Sequence, residues 1–169
     1  MWCSRRVAVT LAAAAVLFLL SACGYHFSST APLALPQGMQ LLHLERIEDP
    51  TTQPQLESRL RTGIRNEFTQ RGDVEWVPRK EAEGLLQVKI LSFTSSSKLE
   101  SSEQETVRFE AVMRFEGSIF QSGDHALVWE SGELSVRESY ATQAERDQAQ
   151  SRLVRQAAEK LANQLVQGF

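Results

Sequence analysis

Thr106–Phe120 reads TVRFEAVMRFEGSIF. Val107, Phe109, Ala111, Met113 and Phe115 alternate with Arg108, Glu110, Val112, Arg114 and Glu116, so one phase is apolar and the other mostly charged. A two-residue period is that of a β-strand, because successive side chains leave the backbone on opposite sides. This segregation predicts a sheet with one side covered and the other wet.

Downstream, Gln121–His125 (QSGDH) has the Gly and Asp of a turn, and Leu127–Val136 is predicted to return antiparallel. Leu127 and Trp129 are in one phase and Leu134 and Val136 in the other, so Gly132 between them predicts a bulge that resets the register. Upstream, Leu86, Val88 and Ile90 alternate with Gln87 and Lys89 in a strand over Leu85–Phe93. The pattern then stops. Thr94–Glu105 (TSSSKLESSEQE) has five serines and one apolar residue, and is expected to be an exposed hairpin loop, either a plain solvated connection or a contact loop.

Further upstream, Gly38–Ile47 (GMQLLHLERI) predicts a strand with apolar residues in both phases, ended by Pro50. Val74–Val77 (VEWV) predicts a short strand closed by Pro78, and Glu81–Gly84 a turn. Leu56, Leu60, Ile64 and Phe68 recur every four residues, an apolar stripe on a helix capped by Thr52 with Gln55 and stopped at Gly72. A closing helix spans Ala141–Gln167, with Leu153, Ala157, Leu161 and Leu165 in one row and Val154, Ala158 and Val166 beside it. Two amphipathic helices and one half-apolar sheet predict an α+β two-layer sandwich. Its sheet would be mainly antiparallel, of about four strands, with both helices on one face.

The N-terminus has a different character. Arg5 and Arg6 precede an apolar run of 14 residues, Val7–Leu20, which leads into Leu20-Ser21-Ala22-Cys23. A basic start, a short apolar middle and small residues at the exit form a secretory signal, too short for the roughly 20 residues of a membrane-spanning helix. Leu-Ser-Ala-Cys resembles the bacterial lipobox, and that resemblance implies lipid attachment at Cys23 with cleavage before it. An ordinary cleaved signal would want a small residue three before the cut, where Leu20 stands. Several acyl chains on Cys23 would hold the mature protein on a bilayer, at about 0.8 kcal/mol per buried methylene. Gly24 follows in place of the Asp that commonly retains lipoproteins in the inner membrane, which by resemblance makes the outer membrane the expected address.

The expected organisation is therefore a signal over 1–22, a lipidated N-terminus and tether over 23–37, and a single domain over 38–169. Loss of Arg5 and Arg6 with the signal leaves 16 basic against 21 acidic side chains, a net charge of −5. That argues against a nucleic-acid binder. Cys3 leaves with the signal and Cys23 carries the lipid, so no disulfide is expected in the mature fold.

Catalytic signatures are missing. The sequence has no G-x-S-x-G, H-E-x-x-H or phosphate-loop motif, and His26, His43 and His125 are far apart, so neither an enzymatic role nor a metal or cofactor is expected. A binding role is. The candidate contact residues are Lys89, Lys98, Arg108 and Arg114, cations on the wet sheet face and its loop that suit anionic groups. The plain alternative is a solvated face on which Glu110 and Glu116 neutralise Arg108 and Arg114.

The lipobox, the opening Cys23-Gly24-Tyr25-His26-Phe27 and the order strand, helix, strands, helix together resemble the LPS-assembly lipoproteins of the LptE group. The resemblance implies an outer-membrane lipoprotein on the periplasmic side that plugs the lumen of a large β-barrel partner, LptD, and helps place lipopolysaccharide in the outer leaflet. It also implies lipopolysaccharide contact through basic residues on the sheet side. The other reading left open is an auxiliary lipoprotein of another envelope lipid-transport complex.

Overall fold

The computed structural model describes residues 32–53, 55–100 and 106–168, with backbone only at 98–100, 106 and 107. Cys23 and residues 101–105 lie outside the described residues. Among the described residues the order is β1 (Leu41–Glu48), α1 (Leu56–Arg71), β2 (Glu75–Trp76), β3 (Gly84–Glu100), β4 (Thr106–Gln121), β5 (Leu127–Glu130), β6 (Leu134–Tyr140) and α2 (Arg146–Gln167). The six strands form one sheet, β2-β1-β3-β4, with β5 and β6 both pairing to the far side of β4. β1 runs parallel to β2 and β3, and the pairs made by β4 are antiparallel.

Both helices lie on one side. Leu56, Leu60, Ile64 and Phe68 of α1 and Leu153, Ala157, Leu161 and Leu165 of α2 join Leu42, Leu86, Val88, Ile90, Met113, Phe115 and Ile119 of the sheet in one core. Burial of each Leu- or Phe-sized side chain contributes about 1.5–3 kcal/mol to holding the two layers together. The α+β sandwich is thus as the patterning predicts, with six strands where about four were expected. The short strand expected at Val74–Val77 is present as β2, and the return strand is broken into β5 and β6 at Ser131–Glu133, where Gly132 takes φ +65. There Ser131 N–H donates to Gly117 O at 2.9 Å and Gly117 N–H to Ser131 Oγ at 2.8 Å. Leu134 and Val136 return to the core beyond this bulge.

Among the boundaries that differ from expectation, three stand out. Helix α1 starts at Leu56 after Gln55 at φ 63, with no side-chain cap, so Thr52 is not its N-cap. Neighbouring Thr51 instead donates to Asp49 Oδ1 through N–H and hydroxyl, at 2.9 and 2.6 Å, and its Oγ1 accepts from Gln53 N–H, so the polar turn closes on itself ahead of the helix. Helix α2 begins at Arg146, behind a 3-10 turn at Gln143–Glu145, and not at Ala141. Glu145 reaches back to accept from Ala141 N–H and Thr142 Oγ1, and this holds the chain extended until that point.

The third difference is the largest. Thr94–Glu100 is strand and not loop: β3 continues in register with β4 from Thr94↔Val112 to Glu100↔Thr106. β1 stops at Glu48↔Lys89 and β6 at Tyr140↔Phe109, so this hairpin runs on as a two-stranded arm. Just before it Ser95, Ser96 and Ser97 are exposed, with Ser95 Oγ 2.8 Å from Tyr140 OH, so serines stand where an alternating strand would expose apolar side chains.

The chain entering the domain is held too. Leu33 N–H donates to Arg71 O at 2.9 Å, and Leu33, Leu35 and Pro36 are buried. Gly72, extended at φ −156, leaves no room for a Cβ, which would stand 2.8 Å from Leu33 O.

Candidate interaction face

The two-residue period of β4 decides which groups reach the side away from the helices. Since Ala111, Met113 and Phe115 are buried, Arg108, Glu110, Val112, Arg114 and Glu116 point outward. Register adds Lys89, Ser92 and Thr94 from β3 and Ser135, Arg137 and Ser139 from β6 to this face.

One end of the face is closed, which corrects the expectation of a wholly open side. His43, Leu85 and Phe120 stand side by side across β1, β3 and β4, and Leu85 is fully buried although it faces away from the helices. The segment after β2 folds over them. His43 Nδ1 lies 2.9 Å from Val77 O, and Arg79 pairs with Glu45 at 2.8 Å and reaches His125 Nε2 at 3.4 Å. Glu83 fastens the same end by accepting from Gln40 N–H at 2.8 Å and Leu41 N–H at 3.2 Å. Those two bonds, Gln40 first, hold its carboxyl below its ordinary value of 4.5.

The rest of the face is charged and exposed. Lys89 Nζ lies 3.5 Å from Glu116, and its side chain is 53% exposed. Arg114 pairs with Glu133 through two nitrogens, at 2.8 and 3.1 Å, and is 51% exposed. Its neutralising partner is therefore Glu133, carried in by the Gly132 bulge, and not Glu116 as the strand pattern suggested. Arg108 is exposed on the same face, and Lys98 is its Cα partner in register, with a side chain outside the described set. Lys89, Arg108 and Arg114 thus share one surface, spread along it and not gathered into a pocket.

Sequence reasoning missed Arg137. It is exposed, sits opposite Val112, and forms no ion pair among the described residues. The signal was present: continuing the Leu134, Val136 phase to Tyr140 places Arg137 on the wet side. The phase is masked by Glu138, an acid on the helix side that accepts from Arg152 and from Gln156 Nε2.

Elsewhere, a cleft of about 540 Å³ lies where the two helices begin. Its polar groups bond one another, with Arg146 Nη2 donating to Gln53 Oε1 at 3.0 Å and Gln150 Nε2 to the same oxygen at 3.4 Å. Among the described residues no three His, Cys, Asp or Glu side chains gather as metal ligands. No helix among them is long and apolar enough to cross a membrane.

The profile of the family LptE, described as lipopolysaccharide-assembly, matches residues 39–166. No curated protein matches the sequence. Among solved structures, the uncharacterized lipoprotein B of Nitrosomonas europaea superposes with a TM-score of 0.52 at 13% identity, covering 78% of this chain and 84% of that one. Protein XCC0632 of Xanthomonas campestris superposes with a TM-score of 0.51 at 16% identity, covering 82% and 91%. At such identities these likenesses speak for the fold alone.

Proposed function

Because the chain belongs to the lipopolysaccharide-assembly family LptE, a non-enzymatic lipoprotein family of the Gram-negative envelope, we propose that it is an outer-membrane lipoprotein that plugs a large LptD-like β-barrel. There it assists the assembly of lipopolysaccharide into the outer leaflet. The family match across the whole folded body carries this reading. The one-sided packing supports it, since two helices occupy one side of the sheet and leave a charged face for a barrel wall or a phosphorylated glycolipid. Cys23 is the proposed lipid attachment site, and Lys89, Lys98, Arg108 and Arg114 are the proposed contacts with partner or lipopolysaccharide.

Affinity purification from detergent-solubilised outer membrane tests the partner. The expected result is a stoichiometric very large β-barrel; an ATPase and permease in its place would favour service in another lipid-transport complex. The anchor is tested separately by Cys23→Ala, which should abolish incorporation of labelled palmitate. Palmitate still incorporated into that variant would overturn the lipobox reading.

A further inference from the structure

We infer that the outer edge of β6 is a strand-pairing site for an extended segment of the barrel partner that carries an acidic side chain opposite Arg137. The inference rests on the plug reading above.

The direction of the backbone groups follows from the bulge. Both the N–H and the C=O of Gly117 bond to Ser131, so they point toward the β5–β6 side of β4. In an antiparallel ladder the N–H and C=O of one residue share a side, and alternate residues repeat it. Phe115, Met113, Ala111 and Phe109 therefore point the same way, and their partners Leu134, Val136, Glu138 and Tyr140 return those bonds. Ser135, Arg137 and Ser139 are left with N–H and C=O directed away from the sheet. Lys160 agrees with this: its Nζ donates to Ser135 O at 2.8 Å, from outside the ladder.

Of the six outward groups, Ser135 O alone has a partner among the described residues. An edge of this kind is a template for another strand. Arg137 identifies the occupant. Pairing two copies of β6 in full antiparallel overlap would centre on Arg137 and set it against its own copy, and directly opposed like charges destabilise a strand pair. Registers that avoid this keep two of the three bonding residues. A partner strand with Asp or Glu at that place meets both the free backbone and the cation, which has no ion pair among the described residues. The free side of the β3–β4 arm is a longer edge, but no described charged side chain there selects an occupant.

The test uses the full mature protein, alone and in its complex with the co-purified barrel. Hydrogen exchange resolved to single amides should give an alternating signature. Val136 and Glu138 should be protected in both states, while Arg137 and Ser139 exchange fast in the free protein and are slowed at least about 100-fold in the complex. Arg137→Glu should weaken capture of the barrel about fivefold, with Arg137→Lys retaining most of it. Arg137 and Ser139 exchanging equally fast in both states would overturn the edge while leaving the plug reading intact. Failure of any barrel to co-purify would overturn both.

Discussion

Leu161 of α2 seats directly on Gly117 of β4, where an added Cβ would stand 2.6 Å from Leu161 Cδ1. That absent methyl sets how closely the second helix approaches the sheet. Gly117→Ala should overpack the contact and cost about 1–3 kcal/mol. Urea unfolding at unchanged m-value reads the loss. A wild-type midpoint would show that Leu161 turns aside freely.

Charge in the same layer should do far more. Leu60 and Leu161 are fully buried, one on each helix. Leu60→Asp or Leu161→Asp places an unpaired carboxylate there, at a cost of several kcal/mol, comparable to the total stability of a domain. Each variant should lack a cooperative thermal transition. Wild-type melting in either would mean that the helix stripes do not face the core.

Acid should loosen the closed end of the sheet through Glu83. Its carboxyl is depressed in the folded state by the Gln40 and Leu41 N–H groups. A depressed folded value means that stability is present above the unfolded value and is lost as pH falls through the folded one. Wild-type melting temperature should therefore fall more steeply below pH 4.5 than that of Glu83→Gln, with the two curves parallel above it. Parallel curves throughout would show that the carboxylate is not a fastening of β1 to β3.

Where a side chain had to be apolar on one side and polar on the other, the fold was legible: β4, the Leu56 to Phe68 row and the Leu153 to Leu165 row read directly from spacing. Legibility failed where the environment departs from that contrast. Ser95, Ser96 and Ser97 are strand yet all exposed, so no alternation of apolar and polar residues marks them. Leu85 is buried on the wet side because the segment after β2 covers it, and a segment distant in sequence leaves no trace in local period. Glu138 faces the helices because Arg152 and Gln156 satisfy it, which hid the last four residues of β6 and with them Arg137. Glu133 became the partner of Arg114 only through the Gly132 bulge. The cations of the charged face were readable as types, and their partners were not.

The charged face itself is tested by reversing Arg108 and Arg114 to Glu together. Both side chains are exposed, and the apolar phase of β4 beneath them is untouched, so the domain should stay folded. Reversal at 114 puts like charge beside Glu133, and losing an exposed pair of this kind costs about 0.2–1 kcal/mol. Melting should accordingly shift by a few degrees at most for a domain of this size. Binding should respond more strongly, because the change converts two cations that would meet an acidic barrel wall or lipid phosphates into repelling anions. At matched low salt, where screening is least, co-purified barrel and bound lipopolysaccharide should each fall by about three- to tenfold, and the deficit should shrink as salt rises. An intact fold with both bindings unchanged at low salt would mean that this surface is only solvated, and would move the contact to the β3–β4 arm or the helices.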